Sequence, residues 1–234
     1  MSIIIPCHGR LDLTERCLKS IYEHTTDIEL ILVDNGSIDE HWDYFPSLQV
    51  TRISIDKNLG FARGCNIGAA AAKYDPLFLN NDTEVRAGWL DPLRAALDDR
   101  DVGAVAGRLE FPDGRLQHAG VRLFVRGVLT AENIETEQPA GEVQVVAGAA
   151  LLVRREAWNS VAGFDPAFYN GYEDVDLCLR LGEAGWKIRY EPESTVMHHA
   201  HGSGPERWAR VRENIALLDE RWRDKMIRRA QVNI

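Results

Sequence analysis

The chain has 234 residues, 45% of them hydrophobic, and 27 Lys+Arg against 36 Asp+Glu give a formal net charge of -9. That length fits one large domain or two small ones, and the composition excludes disordered and fibrous architectures. The negative balance opposes a phosphate backbone, so no general nucleic-acid binding is expected.

In chain order, residues 2–6 form a continuous aliphatic run, as a strand buried on both faces requires. Thr14 is a suitable cap for a helix whose Cys17, Leu18, Ile21 and Tyr22 share one stripe. Residues 29–33 predict a second strand, stopped by the turn sequence Asp34-Asn35-Gly36-Ser37. A strand over 50–55, a small-residue helix over 60–72, a strand over 77–79, a helix over 89–97 and a strand over 102–106 complete a β/α half. After Leu109 the pattern becomes turn-rich, with Pro112-Asp113-Gly114 as a hairpin turn and 130–141 polar, as in a mobile connection. Strands over 143–146 and 150–154, a helix over 155–161, a helix over 173–184, strands over 187–190 and 195–198 and a long helix over 205–227 follow.

No apolar run approaches the roughly 20 residues that span a bilayer. Pro6, His8, Arg10 and Asp12 interrupt any secretion-type apolar region, so the expected location is cytoplasmic. Cys7, Cys17, Cys65 and Cys178 form no CxxC pair, and reduced, buried thiols are expected.

Ligands of open α/β sheets bind beyond the carboxyl ends of the strands, where Asp34 and Asn80-Asn81-Asp82 fall. One carboxylate suffices for Mg²⁺ or Mn²⁺ if the ligand supplies phosphate oxygens; an Asx turn explains the same tripeptide. Glu173, Asp174 and Asp176 open a helix, where acidic residues complement the dipole. Successive positions point about 100° apart, so one of them can face a cleft as a general base. His198, His199 and His201 cluster after a strand, either as metal-ligand candidates or as an incidental surface loop. Gly60, Gly64 and Gly68 lie at four-residue spacing, which permits close packing on the sheet and is not GxGxxG. The last helix carries Trp208, Val211, Ile215, Leu218 and Trp222 on a packing stripe, with Arg207, Arg210, Arg212, Arg221, Arg223, Lys225, Arg228 and Arg229 as a basic face suited to anionic lipid or a partner.

Taken in order, Ser2-Ile3-Ile4-Ile5-Pro6, Val33-Asp34-Asn35-Gly36-Ser37, Asn58-Leu59-Gly60-Phe61-Ala62, Leu79-Asn80-Asn81-Asp82-Thr83 and Tyr172-Glu173-Asp174-Val175-Asp176-Leu177 resemble family 2 inverting glycosyltransferases of the GT-A fold, closest to the rhamnosyltransferase-like branch. The resemblance implies a Rossmann-like, mostly parallel central sheet with helices on both faces and a smaller mixed acceptor-side region. It implies a single GT-A domain over 1–234, with a nucleotide-binding half over 1–108, an acceptor half over 109–204 and an amphipathic C-terminal helix over 205–234.

The implied donor contacts are Pro6, Asp34, Asn58, Arg63, Asn80, Asn81 and Gly148, with Asp34 reading the nucleobase and Gly148 and Ala149 shaping the sugar side. Asp82 matches the metal-binding carboxylate and His198 a late histidine completing the shell of Mg²⁺ or Mn²⁺. Asp174 matches the general base, with Glu173 orienting the acceptor and Asp176 structural. Asn80 departs from the first Asp of the DxD motif, which shifts metal affinity toward the donor's diphosphate; Gly9 and Ile38 replace a frequent Asn and Thr.

The implied reaction moves a sugar, with inversion, from a UDP- or dTDP-sugar to a hydroxyl of a glycan or lipid-linked acceptor in surface polysaccharide synthesis. A peripheral position at the inner membrane face and a place as one module of a larger synthase fit the same resemblance. The alternatives are a nucleotidyltransferase, for which Cys7-His8-Gly9-Arg10 is a poor phosphate loop, and a non-catalytic carbohydrate-binding domain.

Overall fold

The computed structural model describes residues 1–37, 49–200 and 210–232. Ile38, His201, Arg207, Trp208 and the start of the last helix at Pro205 lie outside the described residues. Strand β1 (Ser2–Cys7) is buried along its whole length. It pairs in parallel with β2 (Glu29–Asn35) on one side and β4 (Pro76–Leu79) on the other, and β3 (Thr51–Ile55) extends the parallel ladder beyond β2.

Because side chains alternate across a strand, Ile4 enters one core and Ile3 and Ile5 the other. Helix α1 (Leu11–His24) supplies Cys17, Leu18 and Ile21 to the second core, and α2 (Phe61–Ala71) supplies Ala62, Cys65 and Ala69 to the first. Glycines let α2 lie directly on the sheet: a Cβ at Gly68 would overlap Ile4 Cγ2 and sit 3.0 Å from Val33 Cγ2. A Gly68→Val substitution is therefore expected to cost about 3 kcal/mol, the upper part of the overpacking range, and to lower the melting temperature by roughly 6–12 °C. An unchanged thermal midpoint would contradict this packing.

Beyond β4 the sheet becomes mixed. Strands β5 (Thr83–Val85), β6 (Val102–Glu110), β7 (Leu116–His118), β10 (Gly141–Val143), β11 (Ala150–Val153) and β12 (Lys187–His198) join it in the order β10-β12-β6-β11-β4-β1-β2-β3, with β5 on β12 and β7 on β6. Only the β6–β12 contact is parallel among the pairings added here. Helices α3 (Leu90–Ala96), α4 (Arg155–Ser160), α5 (Glu173–Glu183) and α6 (Val211–Val232) cover the faces. The expected Rossmann-like sheet with a mixed second region is what is found.

Several local expectations need correction. Thr14 is not a cap: α1 starts at Leu11 after left-handed Arg10, and Thr14 Oγ1 lies inside the helix, donating to Arg10 O and accepting from Asn81 Nδ2 at 2.9 Å. The stretch from 121 to 133 is a hairpin, β8 (Val121–Arg126) and β9 (Val128–Asn133), turning at Gly127 with φ of 80°. The strand expected at 143–146 ends at Val143, and Val145 and Val146 enter the core outside any strand. The two strands expected between 187 and 198 are one strand with a register shift between Glu191 and Thr195.

The buried face of α6 carries Asn214, Leu218, Trp222 and Met226 at four-residue steps, while Val211 and Ile215 are half-buried. Asn214 Nδ2 donates to the carbonyls of Asn170 and Gly171, and buried Asp176 accepts from Trp222 Nε1 at 3.0 Å while pairing with Arg180 and Arg221. Three basic residues of this helix are drawn into ion pairs, Arg221 with Asp165, Arg223 with Asp219 and Lys225 with Glu183, while Arg212 and Arg228 are exposed. The four cysteines are free and buried, as expected; burial pushes the Cys17 and Cys178 thiols up to about 12 and raises those of Cys7 and Cys65 as well. Among the described residues no helix is long and apolar enough to cross a membrane.

Candidate functional site

The parallel strands β1, β2 and β4 end together, and Asn80, Asn81 and Asp82 turn the chain from β4 into β5. Pairing of β5 with β12 sets Thr83 opposite His198 and so brings Asp82 beside that imidazole. Asp82 Oδ1 lies 3.1 Å from His198 Nε2, and both side chains are buried. His198 Nδ1 meets Gln117 Oε1 at 2.7 Å. An amide oxygen only accepts, so Nδ1 carries the proton and Nε2 is turned toward the carboxylate. A cation placed between them would meet a carboxylate oxygen and an imidazole nitrogen at once.

Asn80 places its Nδ2 3.3 Å from the same Nε2, and its buried Oδ1 has no hydrogen-bond partner among the described residues. Asn81 instead commits its amide to Thr14. Among the described residues no three His, Cys, Asp or Glu gather as a metal cage. A carboxylate, an imidazole and an unpartnered amide oxygen fit a hard divalent ion that takes its remaining oxygens from a phosphate-bearing ligand.

The second group comes from α5. Tyr172 precedes it in the left-handed region at φ 69°, and Glu173 and Asp174 occupy its first turn. Asp174 Oδ2 accepts from Gly148 N at 2.8 Å and Oδ1 from Val175 N at 2.8 Å, so backbone donors fix the carboxylate's plane. Gly148 is needed for this approach, since a Cβ there would stand 3.1 Å from Asp174 Cβ. The neighbouring Ala149 O accepts from Asn80 N at 2.9 Å. Two consecutive residues thus tie the carboxylate of α5 to the turn that carries Asp82.

Asn80, Asp82 and His198 line the same cavity of about 560 Å³ as Gly148, Glu173 and Asp174. Its remaining wall includes Leu109, Phe111, Val121 and Ala131, an apolar side contributed by β6, the residue that follows it and the hairpin. A smaller hollow of about 80 Å³ adjoins it at Phe61, Asn80, Asp82 and Asn170, and reaches Pro6, Asn35, Asn58 and Asn81 at the strand ends.

Of the expected donor contacts, Pro6, Asn58, Asn80, Asn81 and Gly148 therefore line one hollow or the other. Asp34 does not: it is buried, pairs with Arg52 at 3.0 Å and accepts from Ser37 N at 3.0 Å. Arg63 is exposed on α2 and lines neither hollow. The residue beside Asp34 is the organiser here: Asn35 donates to Asn58 Oδ1 and Gly60 O and accepts from Leu59 N. Asn35, Gln117, His118, Asn170 and Tyr172 were not legible as site residues. His118 in particular is fully buried, and burial pushes its imidazole down to about 4, so it is neutral at pH 7.

Residues 2–161 match the family model described as glycosyl transferase family 2. The O-antigen biosynthesis protein RfbC of Myxococcus xanthus is 30% identical over 227 residues, which cover 87% of this chain and 17% of that protein. The N-acetylglucosaminyl-diphospho-decaprenol L-rhamnosyltransferase of Mycobacterium tuberculosis (strain ATCC 25618 / H37Rv) is 30% identical over 229 residues, 81% of this chain and 73% of that protein. Among solved structures, GalNAc-T7 with UDP, GalNAc and Mn²⁺ is similar at a TM-score of 0.70 and 20% identity, over 84% of this chain and 43% of that one, a likeness of GT-A fold. The chain spans less than half the length of the first curated relatives it matches.

Proposed function

The chain belongs to glycosyl transferase family 2, and from that premise we propose that it transfers a sugar, with inversion, from a UDP- or dTDP-sugar to a hydroxyl of a glycan or lipid-linked acceptor. The observation that carries this reading is the single cavity with Asp82 and His198 on one wall and Asp174 on another. The relative named a rhamnosyltransferase of a diphospho-decaprenol and the neighbour holding UDP and Mn²⁺ support the substrate classes.

The smaller hollow at the strand ends suits the nucleoside, leaving the sugar to enter the larger cavity. Asp82 and His198 would hold Mg²⁺ or Mn²⁺ with the donor's diphosphate. Such an ion supplies Lewis-acid stabilisation of the departing diphosphate. The acceptor oxygen attacks the anomeric carbon as the bond to the diphosphate oxygen breaks, and Asp174 takes the acceptor's hydroxyl proton. Attack opposite the leaving group inverts the centre. Glu173, buried at the same cavity, orients the acceptor side. Surface polysaccharide synthesis is the setting the named relatives favour.

A thermal-shift series with UDP, dTDP and GDP, each with and without Mn²⁺, tests the reading. A ligand at 100 times its Kd stabilises the native state by about 2.7 kcal/mol, so a uridine or thymidine diphosphate should raise the midpoint only when the metal is present. No shift with any of them would reject a nucleotide-sugar donor.

A further inference from the structure

Gln117 and His118 are consecutive residues of β7, yet they reach opposite halves of the site. Successive side chains of a strand point to opposite faces, and β7 pairs with β6 through a register shift between Leu109 and Glu110. Gln117 consequently lines the large cavity and meets His198 Nδ1 at 2.7 Å. His118 turns into the core beneath it, edge-on to Tyr190, and its Nε2 accepts from Gly120 N and Ala147 N, each at 3.2 Å. The amide that follows Ala147 is the Gly148 N–H that holds Asp174 Oδ2. The same short segment is anchored at its ends by Val121 N donating to Val145 O and by Asn80 N donating to Ala149 O.

We propose that Gln117 and His118 are positioning residues with divided duties: Gln117 sets the His198 imidazole toward Asp82, and His118, by holding the Val146–Ala147 peptide one residue before the Gly148 amide, sets the Asp174 carboxylate. The inference rests on the sugar-transfer reading for its meaning, but its geometry does not require turnover. A ring nitrogen that accepts from both Gly120 N and Ala147 N ties the Val146–Ala147 peptide to the chain just after β7 and so restrains the residue that precedes the Gly148 amide. Without that acceptor, two buried donors are left unpaired and the segment is free to rotate the Gly148 N–H away from Asp174. On the other side, the partner of a ligand histidine holds its tautomer and ring orientation.

The test pairs Gln117→Leu with His118→Leu and reads two quantities that need no catalysis. One is the calorimetric affinity for UDP or dTDP with Mn²⁺, whichever the parent chain binds more tightly. The other is the proton resonance of the Gly148 amide, which a carboxylate partner holds downfield. Gln117→Leu is expected to weaken metal-dependent nucleotide binding 10–100-fold, as loss of an outer partner of a metal ligand does, and to leave the Gly148 resonance in place. His118→Leu is expected to move that resonance upfield, lower kcat and leave nucleotide affinity unchanged.

Equal effects of both variants on both readouts, or an unmoved Gly148 resonance in His118→Leu, would overturn the division. If His118→Leu does not fold, His118→Gln, whose amide oxygen reaches about as far as Nε2, should keep the resonance where His118→Asn, one methylene shorter, moves it. Identical spectra for those two variants would overturn it equally. Full activity of an Asp174→Asn variant would instead reject the base assignment and leave the binding and resonance contrast standing, so the two failures are distinguishable.

Discussion

An Asp174→Asn variant is expected to transfer sugar about 10²–10⁴-fold more slowly than the parent chain while binding nucleotide with unchanged affinity, the range a positioned general base contributes. The barrier rises by roughly 2.7–5.5 kcal/mol at about 1.36 kcal/mol per decade. The amide keeps the shape of the carboxylate and can still accept from Gly148 N, whose bond to Oδ2 is 2.8 Å. It surrenders the bond from Val175 N or that from Gly148, since only one oxygen remains, and it has no basicity with which to take a hydroxyl proton. Asp174 does not line the smaller hollow at the strand ends, so the nucleoside side is untouched. Release of nucleotide measured in a coupled assay, beside calorimetry, separates the two quantities. Turnover near that of the parent would reject Asp174 as the base.

Asp82→Ala should produce the opposite pattern, loss of metal-dependent nucleotide binding before any chemistry. The carboxylate faces His198 Nε2 at 3.1 Å, and its removal leaves an imidazole and the unpartnered Asn80 Oδ1 as the remaining protein donors. Loss of an outer partner typically costs 10–100-fold in metal affinity, so loss of the charged ligand itself is expected to cost more than about 10²-fold. Asp82→Asn is the informative companion, because it preserves size and can still hydrogen-bond to His198 while discarding the charge. Both variants should bind nucleotide with the same weak affinity in the presence and absence of Mn²⁺. Unchanged affinity in Mn²⁺ would remove Asp82 from the metal site.

How much of this was legible in the sequence follows from how local each signal is. The run Ile3-Ile4-Ile5 identifies a strand buried on both faces without any knowledge of its neighbours, and it divides between the two cores as alternation requires. Gly64 and Gly68 announce a helix lying close on the sheet, and Arg63 on the same helix is exposed and lines neither hollow. Thr14 has the chemistry of a cap, but a tertiary partner 67 residues away, Asn81, uses its hydroxyl instead.

The hairpin from 121 to 133 carried a period-two signal, Val121, Leu123 and Val125 between Arg122, Phe124 and Arg126, which the turn-rich surroundings obscured. Asp82 and Asp174 could each be suspected from position, one past a strand and one at a helix start. Their meeting followed only from the family resemblance, because no local pattern shows Gly148 and Ala149 bonding to one of them and to the neighbour of the other. Gln117 and His118 sit in a stretch with no motif at all, and their roles exist only through the register of β7 on β6.

On this reading one cavity holds a metal-bound diphosphate on the Asp82 side and the proton acceptor on the other. Diffraction at the manganese absorption edge, from crystals grown with Mn²⁺ and UDP or dTDP, addresses it most directly. The expected result is an anomalous peak bonded to Asp82 and His198, with the diphosphate completing the ion's shell and Asp174 facing it across the same space. A peak bound elsewhere, or a nucleotide seated outside that cavity, would contradict it.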